Sequence, residues 1–312
     1  RHNADAVLGS FPSPSDLRWC ARAIERLQPL AVLIDTVFRA PLLAEPELAG
    51  VNSIVITHDV FYRRAQALSA AGYNVLPENF SRTREAVLLG RARSIAAIQP
   101  EEAEMLRAMC PARDIFTAPM PALPWPRPPE VERIPGRLIF VGSDSLPNLD
   151  GLRWFFSEIW PPLLSEGLTL DLVGDCGPAL ARLPRGVKVL GRVPSLAPLL
   201  HRASLAISPL RTGSGLKIKL LDYARHGLYT IATPPSLKGF YLDADSPFIM
   251  AGSAYMFVQA VLRHIATPPQ PGAALAYVTT HYGVKASFAG LRTALTPGPA
   301  SETQENLRSL KL

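Results

Sequence analysis

The stretch SLAISPLRTGSGLKIKLLDYARHGLYTIAT, residues 204–233, decides how this chain is read. A strand-length apolar run (204–210) enters a turn bearing Gly213, Ser214 and Gly215. An amphipathic helix follows, Gly227 is placed to end it, and a second apolar run begins at Leu228. Strand, turn, helix and strand in that order make a βαβ unit with parallel strands. The turn exposes backbone N–H groups at a helix N-terminus, where those donors and the macrodipole stabilise phosphate oxygens. Arg211, Lys217 and Lys219 add cationic charge beside it. A phosphate cradle is the functional reading; a glycine turn that merely lets the helix pack closely on the sheet is the structural one.

The spacing is neither G-x-x-x-x-G-K-[ST] nor G-x-G-x-x-G, so a P-loop ATPase and a dinucleotide dehydrogenase lose support. Further runs of strand length surround the turn: LIFVG (138–142), LTLDLVG (168–174), VKVLG (187–191) and SPFIMAG (246–252). Between them lie helical patterns at LDGLRWFFSEIW (149–160), PALARL (178–183), SLAPLLHRA (195–203) and SAYMFVQAVLRHIA (253–266). Apolar runs this continuous imply a parallel sheet covered on both faces. The first half repeats the theme with fewer elements. AVLIDTV (31–37), VNSIVITHDV (51–60), SIAAIQ (94–99) and DIFTAP (114–119) read as strands, with helices at 16–28 and 100–110. The run PMPALPWPRPPEVERIPG (119–136) suits neither a helix interior nor a central strand, and reads as a stiff linker.

The expected fold is therefore α/β, with two facing Rossmann-like domains and a ligand cleft between them at the carboxyl ends of the strands. Its divisions are an N-terminal domain at 1–120, the linker at 121–136, a C-terminal domain at 137–295 and a polar tail at 296–312. In the C-terminal domain, Gly142 and Ser143 offer backbone donors and a hydroxyl to a phosphate. Asn148 or Asp150 is read as the cap of the following helix, Asp150 being favoured. Gly174 ends a second strand, and Arg192 and Val193 lie in a short loop whose main chain suits a flat base. Leu216 closes the glycine turn. Lys219 and Asp222, three apart on one helix, either face one ligand or form an ordinary surface ion pair. In the N-terminal domain, His58 ends a strand beside Asp59. It reads as a sugar-binding or acid–base group, or as a half-buried hydrogen-bonding residue. Arg82, Arg84, Arg91 and Arg93 read as a solvated helix face, with contact to anionic lipid the alternative.

The 312 residues carry 32 Lys+Arg against 26 Asp+Glu, a net +6, with 48% hydrophobic and 19% charged residues; this excludes a disordered chain. The charge allows attraction to anionic headgroups, nucleotides or nucleic acid and selects none of them. No aromatic-basic platform supports nucleic acid as a partner. Cys20, Cys110 and Cys176 are widely spaced, which speaks against a disulfide framework or zinc site and for a reducing compartment. No run of 18 apolar residues and no signal peptide is visible, so a cytoplasmic location is expected, with peripheral contact to the inner face of a membrane allowed. No metal-ligand spacing and no G-x-S-x-G elbow appears, and no metal is expected.

Taken together, FVGSDSLPNLDGLRWFFSEIWPPL, LDLVGDCG and VKVLGRVPSLAPLLHRASLAISPLRTGSGLKIKLLDYARHGLYTIATP resemble the donor domain of nucleotide-sugar glycosyltransferases of family 4 type, which have the GT-B architecture. The resemblance is strong from 138 to about 295. Over 51–120, ITHDV and SIAAIQPEEAEML are similar to acceptor-domain segments. It implies a nucleoside-diphosphate sugar as substrate, a glycan or lipid-linked acceptor, and metal-independent transfer with retention of configuration. Gly213, Ser214 and Gly215 would cradle the diphosphate while Arg211 and Lys219 stabilise the leaving charge. Asp222 stands where the family has a ribose-binding Glu, Ser214 where many members have an acid, and Lys238 where Glu is frequent. Those departures make a non-catalytic nucleotide-sugar-binding or scaffold subunit the competing reading, and a nucleotide-sugar epimerase a third. The family's first strand and glycine-rich loop are not recognisable in the first domain, and the chain opens at Arg1, so a missing start to that domain is expected.

Overall fold

A computed structural model describes residues 5–70, 72–212 and 215–296. The chain divides into two compact units, one made of Arg1–Pro119 and Phe288–Leu312, the other of Met120–Ser287.

The second unit is built on six strands, β7 (Arg137–Val141), β8 (Thr169–Val173), β9 (Val187–Gly191), β10 (Leu205–Ser208), β11 (Thr230–Ala232) and β12 (Phe248–Met250). Each coincides with one of the six apolar runs read from the sequence, β7 starting one residue before its run, at Arg137. Their order is β12-β11-β10-β7-β8-β9, and every pairing is parallel. Leu138, Phe140, Leu170, Leu172, Ile207 and Ile231 from the strands pack with Phe155, Trp160, Phe257 and Val261 from the helices in one buried core. Fully burying each such side chain contributes about 1.5–3 kcal/mol, which explains why the strands are apolar on both faces.

Two elements depart from expectation. PALARL forms turns rather than a helix; the five residues between Pro178 and Pro184 are too few to offset helix nucleation. The proline-rich run has no helix or strand, but it is strapped to the second unit. Ala122 N–H donates to Tyr282 O at 2.8 Å, Trp125 N–H to Arg225 O at 2.7 Å and Ile134 N–H to Arg202 O at 2.8 Å. The Arg133 guanidinium adds bonds to Ala203 O at 2.7 Å and Gly227 O at 2.6 Å. Composition placed boundaries at 120, 136 and 295; the units divide at Pro119/Met120 and within the last helix, Val284–Leu295, at Ser287/Phe288. Asn52 Nδ2 of the first unit bonds Ala294 O in that helix, at 3.1 Å.

The first unit has strands β1 (Asp5–Val7), β2 (Val32–Asp35), β3 (Ser53–Ile56), β4 (Asn74–Leu76), β5 (Ser94–Ala97) and β6 (Asp114–Thr117). A parallel sheet runs β2-β3-β5-β6, and β1 pairs only with β4. Val37, Phe38, Phe61, Phe80, Leu89, Ile95 and Leu106 fill its core. The helix Arg82–Leu89 starts at the N-cap Ser81. Two of its arginines hold backbone rather than standing free: Arg82 donates to Ala108 O, while Arg84 donates to Glu78 O and lies over the Phe11 ring. Among the described residues no helix is long and apolar enough to cross a membrane.

Candidate functional site

The order of the second sheet reverses between β7 and β10. From β7 the chain adds β8 and β9 on one side, and from β10 it adds β11 and β12 on the other. In open α/β sheets, ligands bind beyond the carboxyl ends of the strands at such a switch point. The loop after β10, which the sequence singled out, therefore belongs beside the loop after β7. Gly213 and Ser214 lie outside the described residues; Gly215 and Leu216, half-buried and buried, follow them.

Lys219, in the first turn of the helix Ile218–Arg225, ties the two loops together. Its Nζ donates to Asn148 Oδ1 at 2.8 Å and sits 3.9 Å from the centroid of the Phe140 ring. Asn148, itself buried, donates through Nδ2 to Ser143 O at 3.1 Å. Burial is the main cause that pulls the Lys219 ammonium down to about 7; the nearby Lys217 acts in the same sense and Cys176 opposes it. Tyr223 on the same helix accepts the Val141 N–H at 2.8 Å. The expected cap, Asp150 or else Asn148, is not the one found: the helix Leu146–Trp154 begins earlier, with Ser145 at its N-cap.

Backbone approaches backbone closely here. A Cβ on Gly174 (φ +93°) would lie 2.4 Å from Gly142 O, and one on Gly142 would lie 2.7 Å from the Phe140 ring and 3.0 Å from Asn148 Nδ2. These glycines let the ends of β7 and β8 close up, and they leave main chain rather than side chains lining the edge. Ser143 is exposed beside them.

Beyond β10, buried hydroxyls fix the chain that leads to Arg211. Ser236 Oγ donates to Ser208 O at 2.7 Å and accepts from Leu210 N–H at 3.3 Å, while Thr233 Oγ1 donates to Leu210 O. Arg211 is exposed at the end of this braced segment. Nothing in the linear pattern pointed to Ser236 or Thr233, whose partners lie more than twenty residues away.

Asp222 does not join Lys219. Its Oδ1 lies 3.7 Å from Arg225 Nη1, and burial raises its carboxyl despite that cation. Arg192, after β9, makes a bidentate pair with Asp175, after β8, at 2.6–2.9 Å. That hydrogen bonding holds the Asp175 carboxyl below its usual range. Val193 is half-buried in the same loop, and Lys238 is exposed.

In the first unit, His58 follows β3, and its Nε2 lies 2.5 Å from Asp35 Oδ1 at the end of β2. Asp35 was not foreseen; the signal was an acid closing the strand beside the one that carries the histidine. The next residue, Asp59, is buried and pairs with Arg64 at 3.5 Å. Glu85 and Glu102 are buried near it. Burial, the largest cause, raises Glu85 to about 7 and Glu102 to about 8. Among the described residues no three His, Cys, Asp or Glu side chains gather to hold a metal ion.

This switch-point geometry agrees with what comparison of the chain gives. Residues 135–267 match the family described as "Glycosyl transferases group 1". The match covers all six strands of the second unit. Sucrose-phosphate synthase from Thermosynechococcus elongatus superposes with a TM-score of 0.68 at 14% identity, over 96% of this chain and 78% of that one. TarM gives 0.67 at 10% identity, over 90% and 58%. The pneumococcal O-GlcNAc transferase GtfA, solved with UDP and GlcNAc, gives 0.60 at 13% identity, over 90% and 60%. An uncharacterized 44.6 kDa protein in the cps region of Klebsiella pneumoniae is 22% identical over 141 residues, 41% of this chain and 36% of that protein. The chain thus spans little more than a third of that curated relative and about three fifths of TarM. These likenesses show the α/β fold with parallel sheets of GT-B glycosyltransferases, as the resemblance in the sequence implied.

Proposed function

We propose that the chain transfers a glycosyl group from a nucleoside-diphosphate sugar to a glycan or lipid-linked acceptor, in the synthesis of a cell-surface polysaccharide or glycoconjugate. The observation that carries this reading is the Lys219 ammonium, anchored by Asn148 where the loops after β7 and β10 meet. A diphosphate placed there meets one enclosed cation, the exposed Arg211, and the main chain of Gly142, Ser143, Gly174, Gly215 and Leu216. As the bond from the anomeric carbon to the diphosphate oxygen breaks, negative charge grows on the leaving group, and preorganised donors and cations lower that barrier. The acceptor oxygen bonds to the anomeric carbon and its proton departs with the diphosphate. A metal-independent, retaining course is the part of the proposal that rests on family resemblance. Asp222 is assigned to the ribose, Arg192 and Val193 to the base, and His58 to a sugar hydroxyl. The cps-region relative supports the pathway, and the UDP bound to GtfA supports the donor class. The net charge of +6 suits work at the inner face of a membrane, on a lipid-linked acceptor.

Thermal shift of the full chain with nucleoside diphosphates, followed by donor turnover, tests the reading. Stabilisation by a uridine or guanosine diphosphate is expected, with sugar transfer weakened in Lys219→Ala and Asp222→Ala. No shift with any nucleotide would overturn it. The second reading, a binding-only subunit, draws on the engagement of Asp222 by Arg225; nucleotide binding without sugar release from any donor would favour it.

A further inference from the structure

The two neighbouring strands β2 and β3 run in register, with Asp35 opposite Ile56, and they deliver Asp35 and His58 to the same carboxyl edge of the first sheet. At 2.5 Å from a carboxylate oxygen, Nε2 of His58 is the donor. The neutral ring then presents Nδ1 as an acceptor. Both side chains are open to solvent, His58 at 41% and Asp35 at 77%, where a polar pair of this kind contributes little to stability. The pair is therefore poorly explained as a brace for the fold.

The backbone gives an independent sign. Thr36, immediately after Asp35, sits at φ 67° and ψ 156°. Glycine occupies that region readily and a β-branched residue does not. Two hydrogen bonds keep it there: Thr36 N–H donates to Ile56 O at 3.0 Å, and its Oγ1 accepts from Phe38 N–H at 3.3 Å. The strain fixes the direction in which the chain leaves Asp35. Strain held beside an exposed hydrogen-bonded pair marks a geometry kept for use rather than for stability.

We propose that Asp35 is a positioning residue for His58. It holds the hydrogen on Nε2 and sets the ring plane, so that Nδ1 accepts a hydrogen bond from a hydroxyl of a sugar ring. An acceptor atom fixed in this way is left unpaired by a ligand lacking that hydroxyl, so the pair also selects against the matching deoxy sugar. The inference rests on the glycosyl-transfer reading for the identity of the ligand, but not for the pairing itself.

Two measurements on the full chain separate these parts. Proton–nitrogen NMR of histidine-labelled protein at low temperature should show a downfield Nε2–H signal assigned by its loss in His58→Gln. Asp35→Ala should abolish it and Asp35→Glu should keep it. In transfer assays Asp35→Ala should lower kcat/KM by about tenfold or more, the worth of one charge-assisted hydrogen bond, with Asp35→Glu recovering part of the loss. The thermal midpoint and nucleoside-diphosphate affinity should stay unchanged. A downfield signal that survives in Asp35→Ala would overturn the pairing. Loss of the signal with full kcat/KM would overturn its role in transfer. Absence of transfer by the unaltered protein, despite nucleotide binding, would overturn the transfer reading and the sugar hydroxyl with it, while the NMR comparison still decides the pairing.

Discussion

The proposed donor site turns on Lys219, whose charge is set by its surroundings. With the ammonium brought down to about 7 by burial, it is charged in the free protein below that pH and largely neutral above. A diphosphate needs the charged form, so above pH 7 binding takes up a proton. Affinity should fall as pH rises from 7 toward 9, by up to about tenfold per unit. Calorimetry across that range, corrected for titration of the nucleotide itself, should show this slope in the wild type and a flat profile in Lys219→Arg. Asn148→Ala removes the acceptor of a buried ammonium, at a cost of about 1–3 kcal/mol. Urea unfolding should report that loss, and nucleotide affinity should drop with it.

At the level of elements, the glycines at the ends of β7 and β8 set how closely two loops approach. Gly174→Ala puts a methyl 2.4 Å from a carbonyl oxygen at φ +93°, so it combines a clash with backbone strain. It should cost about 1–3 kcal/mol in urea unfolding and displace the loop after β7 from the phosphate position, which weakens nucleotide binding further. The six strands of this unit were legible in the sequence because strands buried on both faces read as continuous apolar runs. The loop after β10 was legible because glycine and cations concentrate there. Asn148 was not recognised as the anchor for Lys219, because the two are 71 residues apart and only the switch-point topology brings them together. Ser145, Asn148 and Asp150 are all of capping type, so composition alone does not choose among them, and Pro147 in the first turn marks the earlier start. Asp35 escaped for the same reason as Asn148: its partnership crosses strands, and a single sequence carries no register.

Across the whole molecule, the two units differ in how they handle charge. The second pairs or anchors its cations at the sheet edge, while the first buries acids. Glu85 and Glu102 hold protons to about pH 7 and 8 in the folded state, against about 4.5 when exposed. The folded form therefore retains protons that the unfolded form releases. Stability from these groups is fully present below pH 4.5 and is lost as pH rises toward 8. Asp59 lies near both, and at about 1.4 kcal/mol per unit the loss amounts to several kcal/mol. Glu102→Gln should make the protein more resistant to urea at pH 8 than the wild type and flatten the dependence between pH 5 and 8. The α/β class and the parallel sheets were readable at this scale. The strapping of the proline-rich run to the second unit was not, because it depends on backbone carbonyls at Arg202, Ala203, Arg225 and Gly227 that leave no mark on composition.

Titration of uridine and guanosine diphosphates into the full chain at pH 6.5, with Lys219→Ala alongside, tests the central claim most directly. Saturable one-to-one binding of at least one of them, weakened about tenfold or more by the substitution, is the predicted result. No binding to the unaltered chain, or equal affinity in the variant, would contradict it.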